Sequence, residues 1–183
     1  MGTLFVDNIK HQSSQGSGTI TVGASGEKVD LGTGVSGGTL TNRPAFEATT
    51  SVNQSISNNV TTKITFDGTA FDTDNAFNTS NSTFVVPTGK GGVYYLRGQA
   101  RCPGADDGEV VQIQFKKNDN SILKSLERRD ASATNQHKKA RTSILEQLAE
   151  GDVIDLHIYQ NSGGSQTLTK SEVSFEGFRL IGT

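Results

Sequence analysis

The sequence lacks several features that mark familiar classes of protein. Its 183 residues include no tryptophan and one cysteine, and no apolar run is long enough to predict a transmembrane helix. The single cysteine, Cys102, cannot form an internal disulfide, and we expect a small buried residue at a strand end. The opening residues MGTLFVDNIK lack the basic region and apolar stretch of a secretory signal, so we expect none.

Strong charge and catalytic groupings are also missing. The net charge of −2 disfavours nonspecific binding to nucleic acid, which is typical of basic domains. Three histidines, one cysteine and scattered acidic residues form no nucleophile–base grouping along the chain. We therefore expect no enzymatic activity and no cofactor.

Glycine, serine and threonine dominate residues 1–43, where the apolar residues form islands too small to build a core. A flexible linker is one interpretation. The islands recur regularly, however, and short β segments become stable by pairing with a partner chain or with copies of themselves. We favour an extended attachment or assembly segment with short β stretches, whose contact residues are Leu4, Val6, Ile9, Ile20 and Val22.

Residues 44–183 show the alternation of β-strands. In EVVQIQFKKND and GDVIDLHIYQN, apolar residues stand at every second position. Turn sequences such as PTGKGG, PGADDG and NSGGSQ separate such runs. Strands at this spacing predict an all-β sandwich or barrel, which we place at residues 44–183.

One segment, residues 138–150, permits two structures. Ala140, Ile144 and Leu148 fit helical spacing in KKARTSILEQLAE. An isolated short helix among strands needs a packing partner of its own, so we favour a strand.

Three stretches in order resemble the C1q globular-head family, a branch of the tumour-necrosis-factor-like jelly rolls. They are ITFDGTAFDTDNAFNTSNSTFVVPTGKGGVYYLRGQA, LAEGDVIDLHIY and SFEGFRLIG. They match the family's Pro- and Gly-containing link before a Gly-aromatic-Tyr strand, its Leu-x-x-Gly-Asp turn and its final Phe-x-Gly-Phe strand. The resemblance covers residues 44–183 and implies an antiparallel jelly-roll β-sandwich of about ten strands that packs as a homotrimer.

The chain departs from this family in having no tryptophan and no Gly-X-Y collagen repeat before the domain. The resemblance nevertheless implies a set of core and trimer-contact residues, most of them aromatic. These are Phe46, Phe84, Tyr94, Tyr95, Phe115, Leu148, Ile154, Leu156, Phe175, Phe178 and Leu180.

The closing stretch EVSFEGFRLIGT leaves two structures open. Val173 and Phe175 stand two apart, as do Phe178 and Leu180, with Gly177 between the pairs. A β-bulge at Gly177 would return the second pair to the face of the first. Without that bulge the pairs face opposite ways, one toward the core and the other toward the threefold axis of the implied trimer.

The N-terminal stretch LFVDNIKHQSSQGSGTITVG resembles the opening of structural proteins from tailed phages, notably marine ones. In those proteins a Leu-x-Val-Asp-x-Ile start and a Gly-rich Thr-Ile-Thr-Val run precede a fibre or C1q-like module. The matching residues are Leu4, Val6, Asp7, Ile9, Ile20 and Val22. The resemblance implies a virion protein made in the host cytoplasm, which contacts other virion proteins through residues 1–43.

We favour a non-enzymatic phage fibre, spike or capsid-decoration protein, without membrane insertion, whose head binds host-surface glycans. One alternative is a free C1q-like recognition protein, lectin-like or cytokine-like, that works outside a virion. Another is a carbohydrate-degrading tail enzyme, which would need a pair of carboxylates in a cleft.

Two clusters are candidate ligand sites. Asp106, Asp107 and Glu109 share one loop and offer oxygen ligands for calcium, but their spacing favours a solvated turn. The basic cluster suits anionic glycans, because arginine forks bind anions well. Its alternative roles are a charged strand edge that blocks aggregation and a partner for carboxylates across a trimer interface. Its residues are Arg128, Arg129, Lys138, Lys139 and Arg141.

Overall fold

The computed structural model describes residues 42–106, 108–131 and 136–182. The chain divides into two units, Met1–Leu40 and Thr41–Thr183, and the described residues all belong to the second. Residues 1–41 of the expected attachment segment, with Leu4, Val6, Ile9, Ile20 and Val22, lie outside the described residues, as does Asp107.

The described residues form β-strands joined by turns and two short 3-10 segments, Leu123–Ser125 and Lys170–Glu172. The strands are β1 (Ala45–Thr49), β2 (Gln54–Ile56), β3 (Thr62–Lys63), β4 (Gly68–Asp72), β5 (Phe77–Asn78), β6 (Thr83–Val85), β7 (Gly92–Ala105), β8 (Val110–Lys117), β9 (Asn120–Ser121), β10 (Glu127–Asp130), β11 (Gln136–Leu148), β12 (Val153–Gln160), β13 (Gln166–Leu168) and β14 (Ser174–Gly182). Strands outnumber the expected ten because two-residue pieces such as β3, β5 and β9 count separately. None of the described segments is a helix long and apolar enough to span a membrane.

The strands form two main sheets. The five-stranded sheet has the order β11-β7-β14-β1-β4, and the seven-stranded sheet has the order β10-β8-β12-β6-β5, with β3 beside β12 and β9 beside β8. A small third sheet pairs β13 with β2. All strand pairs between described residues are antiparallel, which confirms the predicted all-β class.

Aromatic side chains fill the core between the two main sheets. Phe46 on β1 stacks on Phe84 of β6 with ring centroids 4.7 Å apart, and it meets Phe175 of β14 edge-on at 5.0 Å. Each such side chain contributes about 1.5–3 kcal/mol on burial, so these rings tie the layers together. The expected core or trimer residues that lie fully buried are Phe46, Phe84, Tyr94, Phe115, Leu148, Ile154, Leu156 and Phe175.

The segment with helical spacing is strand as far as Leu148. Ala140, Thr142 and Ile144 are buried, and the residues between them are exposed, so burial follows a period of two. β11 pairs with β7 along its length, which satisfies the backbone on that side. Tertiary pairing therefore overrides the local helical pattern.

The closing strand has no bulge at Gly177. In β14, Gly177 pairs with Leu96 in regular register, and the irregularity falls between Arg179 and Ile181. Phe175 and Gly177 face the core, whereas Phe178 pairs with Tyr95 on the outer face. Phe178 therefore faces away from Phe175, as in the alternative without a bulge at Gly177, whereas Leu180 falls in the irregularity that follows Arg179.

The glycine is needed at this position because the core leaves no room for a side chain. A Cβ on Gly177 would stand 2.8 Å from Leu96 Cδ2, 3.0 Å from Phe46 Cε1 and 3.1 Å from the carbonyl oxygen of Tyr95. Position 177 is the next inward-facing position of β14 after Phe175, and the Phe46 ring already fills the space that a side chain there would need.

Candidate interaction surface

The outer face of the five-stranded sheet, opposite the core, carries exposed apolar side chains. Ala45, Phe71, Tyr95 and Phe178 line a groove of about 240 Å³. The rings of Tyr95 and Phe178 lie 5.4 Å apart, and Phe71 on the edge strand β4 is 48% exposed. Exposed apolar patches with a polar rim mark interaction sites in soluble proteins.

Strand register produces this cluster. Tyr95 on β7 pairs with Phe178 on β14 and with Leu145 on β11, and Phe178 pairs with Ala45 on β1. Residues directly opposite one another on neighbouring strands point to the same face. Ala45, Phe178, Tyr95 and Leu145 therefore form one line across the sheet, the apolar row, which ends at a Leu145 that is 53% exposed.

Charged residues bound the apolar row on the same face. Arg97 on β7 forms an ion pair with Glu176 on β14, and both side chains line the groove. Glu47 on β1 lies directly opposite Glu176. Like charges in such positions destabilise a sheet, and Arg97 compensates one of the two. The outer face thus changes from apolar to charged within one step along the strands.

Leu180 lies at the strand irregularity and is 43% exposed. Tyr95 and Phe178 are half-buried. Like Leu180, they were expected in the core or at a trimer contact, and none of the three lies in the core. All three are therefore available for contact with another molecule.

The fold divides the basic cluster between two sheets. Arg128 and Arg129 lie on β10, an edge of the seven-stranded sheet, where they pair with Asp130 at 2.8 Å and Glu127 at 2.7 Å. The other members lie on β11, an edge of the five-stranded sheet. The five expected residues thus stand on the edge strands of two sheets, β10 and β11, which contact each other. The β11 members are Lys138, Lys139 and Arg141.

The acidic loop is closed by its own hydrogen bonds. The Glu109 carboxylate accepts a hydrogen bond from the backbone N–H of Asp106, and the Glu109 N–H donates to the Asp106 carbonyl at 3.0 Å. Asp107 lies outside the described residues. Within the ranges that the structure describes, no three histidine, cysteine or acidic side chains are grouped so that they could hold a metal ion.

A buried ionic group lies on the seven-stranded sheet. Asp155 on β12 is 5% exposed, and its carboxylate lies 2.9 Å from His157 Nε2 and 2.9 Å from Lys63 Nζ. Burial disfavours the charged carboxylate, but the contacts with His157 and Lys63 outweigh it and hold the pKa of Asp155 below its ordinary value. The sequence alternation placed Asp155 on a solvent face; in the structure Lys63, on the neighbouring strand β3, reaches its carboxylate.

Cys102 faces the core on β7 and is 0% exposed. Burial raises the pKa of its thiol to about 11. Because the thiolate is the nucleophilic form of cysteine, this position gives the residue a packing role.

Comparison with known proteins supplies the family. Residues 45–180 match the C1q domain. The chain belongs to the C1q domain family. No curated protein matches this C1q chain in sequence.

Solved structures share the fold of this C1q chain. The globular domain of zebrafish complement 1qA protein is 17% identical with a TM-score of 0.54, over 77% of this chain and 100% of that one. Murine APRIL at pH 5.0 is 11% identical with a TM-score of 0.55, over 74% and 98%. Eiger TNF from S. frugiperda is 9% identical with a TM-score of 0.53, over 76% and 93%.

At these identities the likeness concerns the fold, and it confirms the predicted jelly roll. C1q and TNF-type domains are generally non-enzymatic binding or structural domains. In this C1q domain, the groove residues that the sequence pattern missed are Ala45, Phe71, Arg97, Glu176 and Gly177. Arg97 stands two residues after Tyr95 in β7 and therefore points to the same outer face. This spacing was the one signal in the sequence that indicated a groove residue beyond the predicted ones.

Proposed function

We propose that this C1q domain assembles as a homotrimer through the outer face of its five-stranded sheet. The observation that carries the proposal is the apolar row with its groove, because Phe71 and Leu145 stay about half exposed in the single chain. Burying a large apolar side chain contributes about 1.5–3 kcal/mol. Several such side chains on one face supply a driving force for association that a monomer leaves unused.

Threefold symmetry also suits the proposed task of recognition. A cyclic trimer repeats the same contact three times around one axis. It presents three copies of any weak ligand site, and linked sites bind with greater avidity than single ones. The proposed trimer is non-enzymatic, in keeping with the C1q and TNF-type domains.

We further propose that the trimer is a structural protein of a tailed-phage virion, a fibre, spike tip or capsid decoration. The resemblance of residues 1–43 to the opening of phage structural proteins supports this part, with those residues contacting other virion proteins. An alternative is a free recognition protein outside a virion; similarity to a complement protein and to TNF-type proteins favours it.

Light scattering on the full chain after size-exclusion chromatography tests the trimer. We expect the mass of three chains at micromolar concentration, and a shift toward monomer in Phe71→Glu. Val60→Glu is the matched control, because Val60 is 49% exposed, like Phe71, but lies outside the five-stranded sheet. A monomeric wild-type chain, or equal effects of the two substitutions, would refute assembly through this face.

The virion part has its own test. Antibodies against the chain should label intact particles released from its host, and deletion of residues 1–43 should abolish labelling while the trimer persists. A trimeric protein that is absent from particles would instead support the free recognition protein.

A further inference from the structure

One row across the outer face of the seven-stranded sheet combines an aromatic ring with an amide group. Gln112 on β8 lies directly opposite Tyr159 on β12 and Arg128 on β10. Its side chain points away from the core, because Val111 and Ile113 on either side of it are buried. The proposed trimer contact is the outer face of the five-stranded sheet, on the other side of the core, and does not cover this row.

The loop between β2 and β3 places a second amide beside the tyrosine. The Tyr159 hydroxyl donates a hydrogen bond to Asn59 Oδ1 at 3.0 Å, and the Asn59 N–H donates to the Gln160 carbonyl at 2.8 Å. Asn59 adopts a left-handed φ of 58°, a conformation that asparagine tolerates better than most residues with a side chain. Its backbone and its side chain are therefore both fixed relative to the Tyr159 ring.

A buried amide holds the surrounding loops together. Gln160 is 0% exposed, and its NH2 group donates to the carbonyl oxygens of Ile56 at 3.2 Å and Gly164 at 2.9 Å. The backbone N–H of Gly163 donates to Asn58 Oδ1 at 3.0 Å, which joins the loop after β12 to the loop after β2. The loop between β2 and β3 is thus held in place before any ligand arrives, which reduces the entropic cost of binding.

The two amides beside the ring have hydrogen-bonding capacity that the domain does not use. Among the residues that the structure describes, none accepts a hydrogen bond from the NH2 group of Asn59, and none pairs with the side-chain amide of Gln112. By contrast, the amide of Gln114, the next outward residue of β8, donates to Ser121 Oγ at 3.3 Å. We call Tyr159, Asn59 and Gln112 the amide–tyrosine site.

The chemistry of this site suits an uncharged ligand with hydroxyl groups. Arg128, the cation in the same row, pairs with Asp130 of its own strand at 2.8 Å, so its charge is already compensated and offers little to an anion. Asparagine and glutamine amides both donate and accept hydrogen bonds, as hydroxyl groups do. An aromatic ring presents a flat apolar face, which matches the C–H groups on the face of a sugar ring.

We propose that the amide–tyrosine site binds a neutral saccharide. The sugar ring would lie on the ring of Tyr159, with its hydroxyl groups bonded to the amides of Asn59 and Gln112. Protein interfaces are centred on several large aromatic or arginine anchors, whereas this site has one half-buried ring with two amides. This inference names the ligand class of the proposed recognition head and rests on that function only for the threefold repetition of the site.

Surface plasmon resonance of the full wild-type chain on immobilised dextran, mannan and galactan tests the inference, with heparin as the charged comparison. We expect binding to at least one of the neutral polysaccharides. The signal should persist when the salt is raised from about 0.1 M to about 1 M, which shortens the screening length of charges from about 10 Å to about 3 Å. Binding to heparin alone, binding that high salt removes, or no binding at all would refute a neutral-saccharide site.

Two double variants of the same composition locate the site. Gln112→Ala with Asn59→Gly removes both unused amides, and glycine keeps the left-handed φ accessible. It should weaken binding by about tenfold or more, as expected for the loss of two hydrogen bonds. Gln114→Ala with Asn75→Gly is the matched control, since Asn75 is also exposed and has a φ of 53°, and it should weaken binding less than about twofold. Equal losses in the two variants would overturn the assignment.

A third variant tests the ring. Tyr159→Leu keeps an apolar side chain but removes the flat face and the hydroxyl that positions Asn59. It should weaken binding by about fivefold or more. Binding as tight as that of the wild type would show that the ring is not the platform for the sugar.

Light scattering separates this inference from trimer formation. Both double variants should keep the wild-type mass. If Gln112→Ala with Asn59→Gly dissociates the trimer, the row belongs to the subunit interface and the saccharide proposal is wrong. A monomeric wild-type chain that binds a neutral saccharide through these residues would uphold the site and refute the trimer, whereas a trimer that binds none would refute the site alone.

Discussion

Replacing Gly177 by alanine tests whether close packing, and not backbone freedom, requires a glycine in the closing strand. Gly177 lies in regular register on β14, opposite Leu96. An added Cβ would stand 2.8 Å from Leu96 Cδ2 and 3.1 Å from the Tyr95 carbonyl oxygen. The leucine methyl has some freedom to move, but the carbonyl oxygen belongs to a neighbouring strand and moves only with the sheet.

Two opposing effects set the size of the change. Adding a methyl group to a well-packed core costs about 1–3 kcal/mol. Replacing glycine by alanine also restricts the unfolded chain, which stabilises the protein by about 0.4–1 kcal/mol. We therefore expect Gly177→Ala to lower the free energy of unfolding by about 1–2 kcal/mol, or Tm by about 2–8 °C for a domain of this size.

Urea denaturation followed by circular dichroism, at matched protein concentrations because association couples to unfolding, measures this change. Gly164→Ala is the control, since a Cβ at Gly164 meets nothing within 4 Å. It should leave stability unchanged or raise it slightly. If Gly177→Ala is as stable as Gly164→Ala, the steric account of this glycine is wrong.

Two further predictions concern the same sheet and the buried ionic group. Removal of residues 176–183 should abolish folding, because β14 lies between β7 and β1; a soluble, trimeric truncated protein with a β-type circular dichroism spectrum would contradict the assignment of β14 as a central strand. Asp155→Asn should lower the stability of the domain at pH 7 and flatten the decline of that stability in acid. The folded-state pKa of Asp155 lies below the ordinary value of 3.8. The stabilisation by Asp155 is therefore complete above pH 3.8 and is lost as the pH falls through the folded-state pKa. Urea denaturation of wild type and variant between pH 7 and pH 3 measures this, and parallel curves would exclude a role for Asp155.

Local alternation was sufficient to predict the strands whose two faces differ clearly. In β8, Val111, Ile113 and Phe115 are buried and the polar residues between them are not, as the sequence indicates. In β12 the same rule failed for Asp155 and His157, which are both buried. The carboxylate of Asp155 contacts Lys63, a residue far away in the chain, and alternation within one strand contains no information about such a partner.

The basic cluster was predicted from linear proximity, which finds only residues that are close in sequence. Arg129 and Lys139 are neighbours in sequence, but the chain passes between them from the edge of one sheet to the edge of the other. Arg101, which register places opposite Lys139, is remote from both in sequence. The groove presents the same problem, because Phe71 and Phe178 meet only when β1 lies between β4 and β14.

The pairing of β1 with β14 also constrains how this domain folds in time. β1 begins at Ala45, and its partner β14 begins at Ser174, so the five-stranded sheet closes only when β14 has been synthesised. At about 5–20 residues per second, Phe46 waits for roughly ten seconds in a nascent chain before Phe175 emerges to cover it. Such long-range pairing is typical of domains that fold in milliseconds to seconds, and closure of this sheet is therefore an event that follows the synthesis of β14.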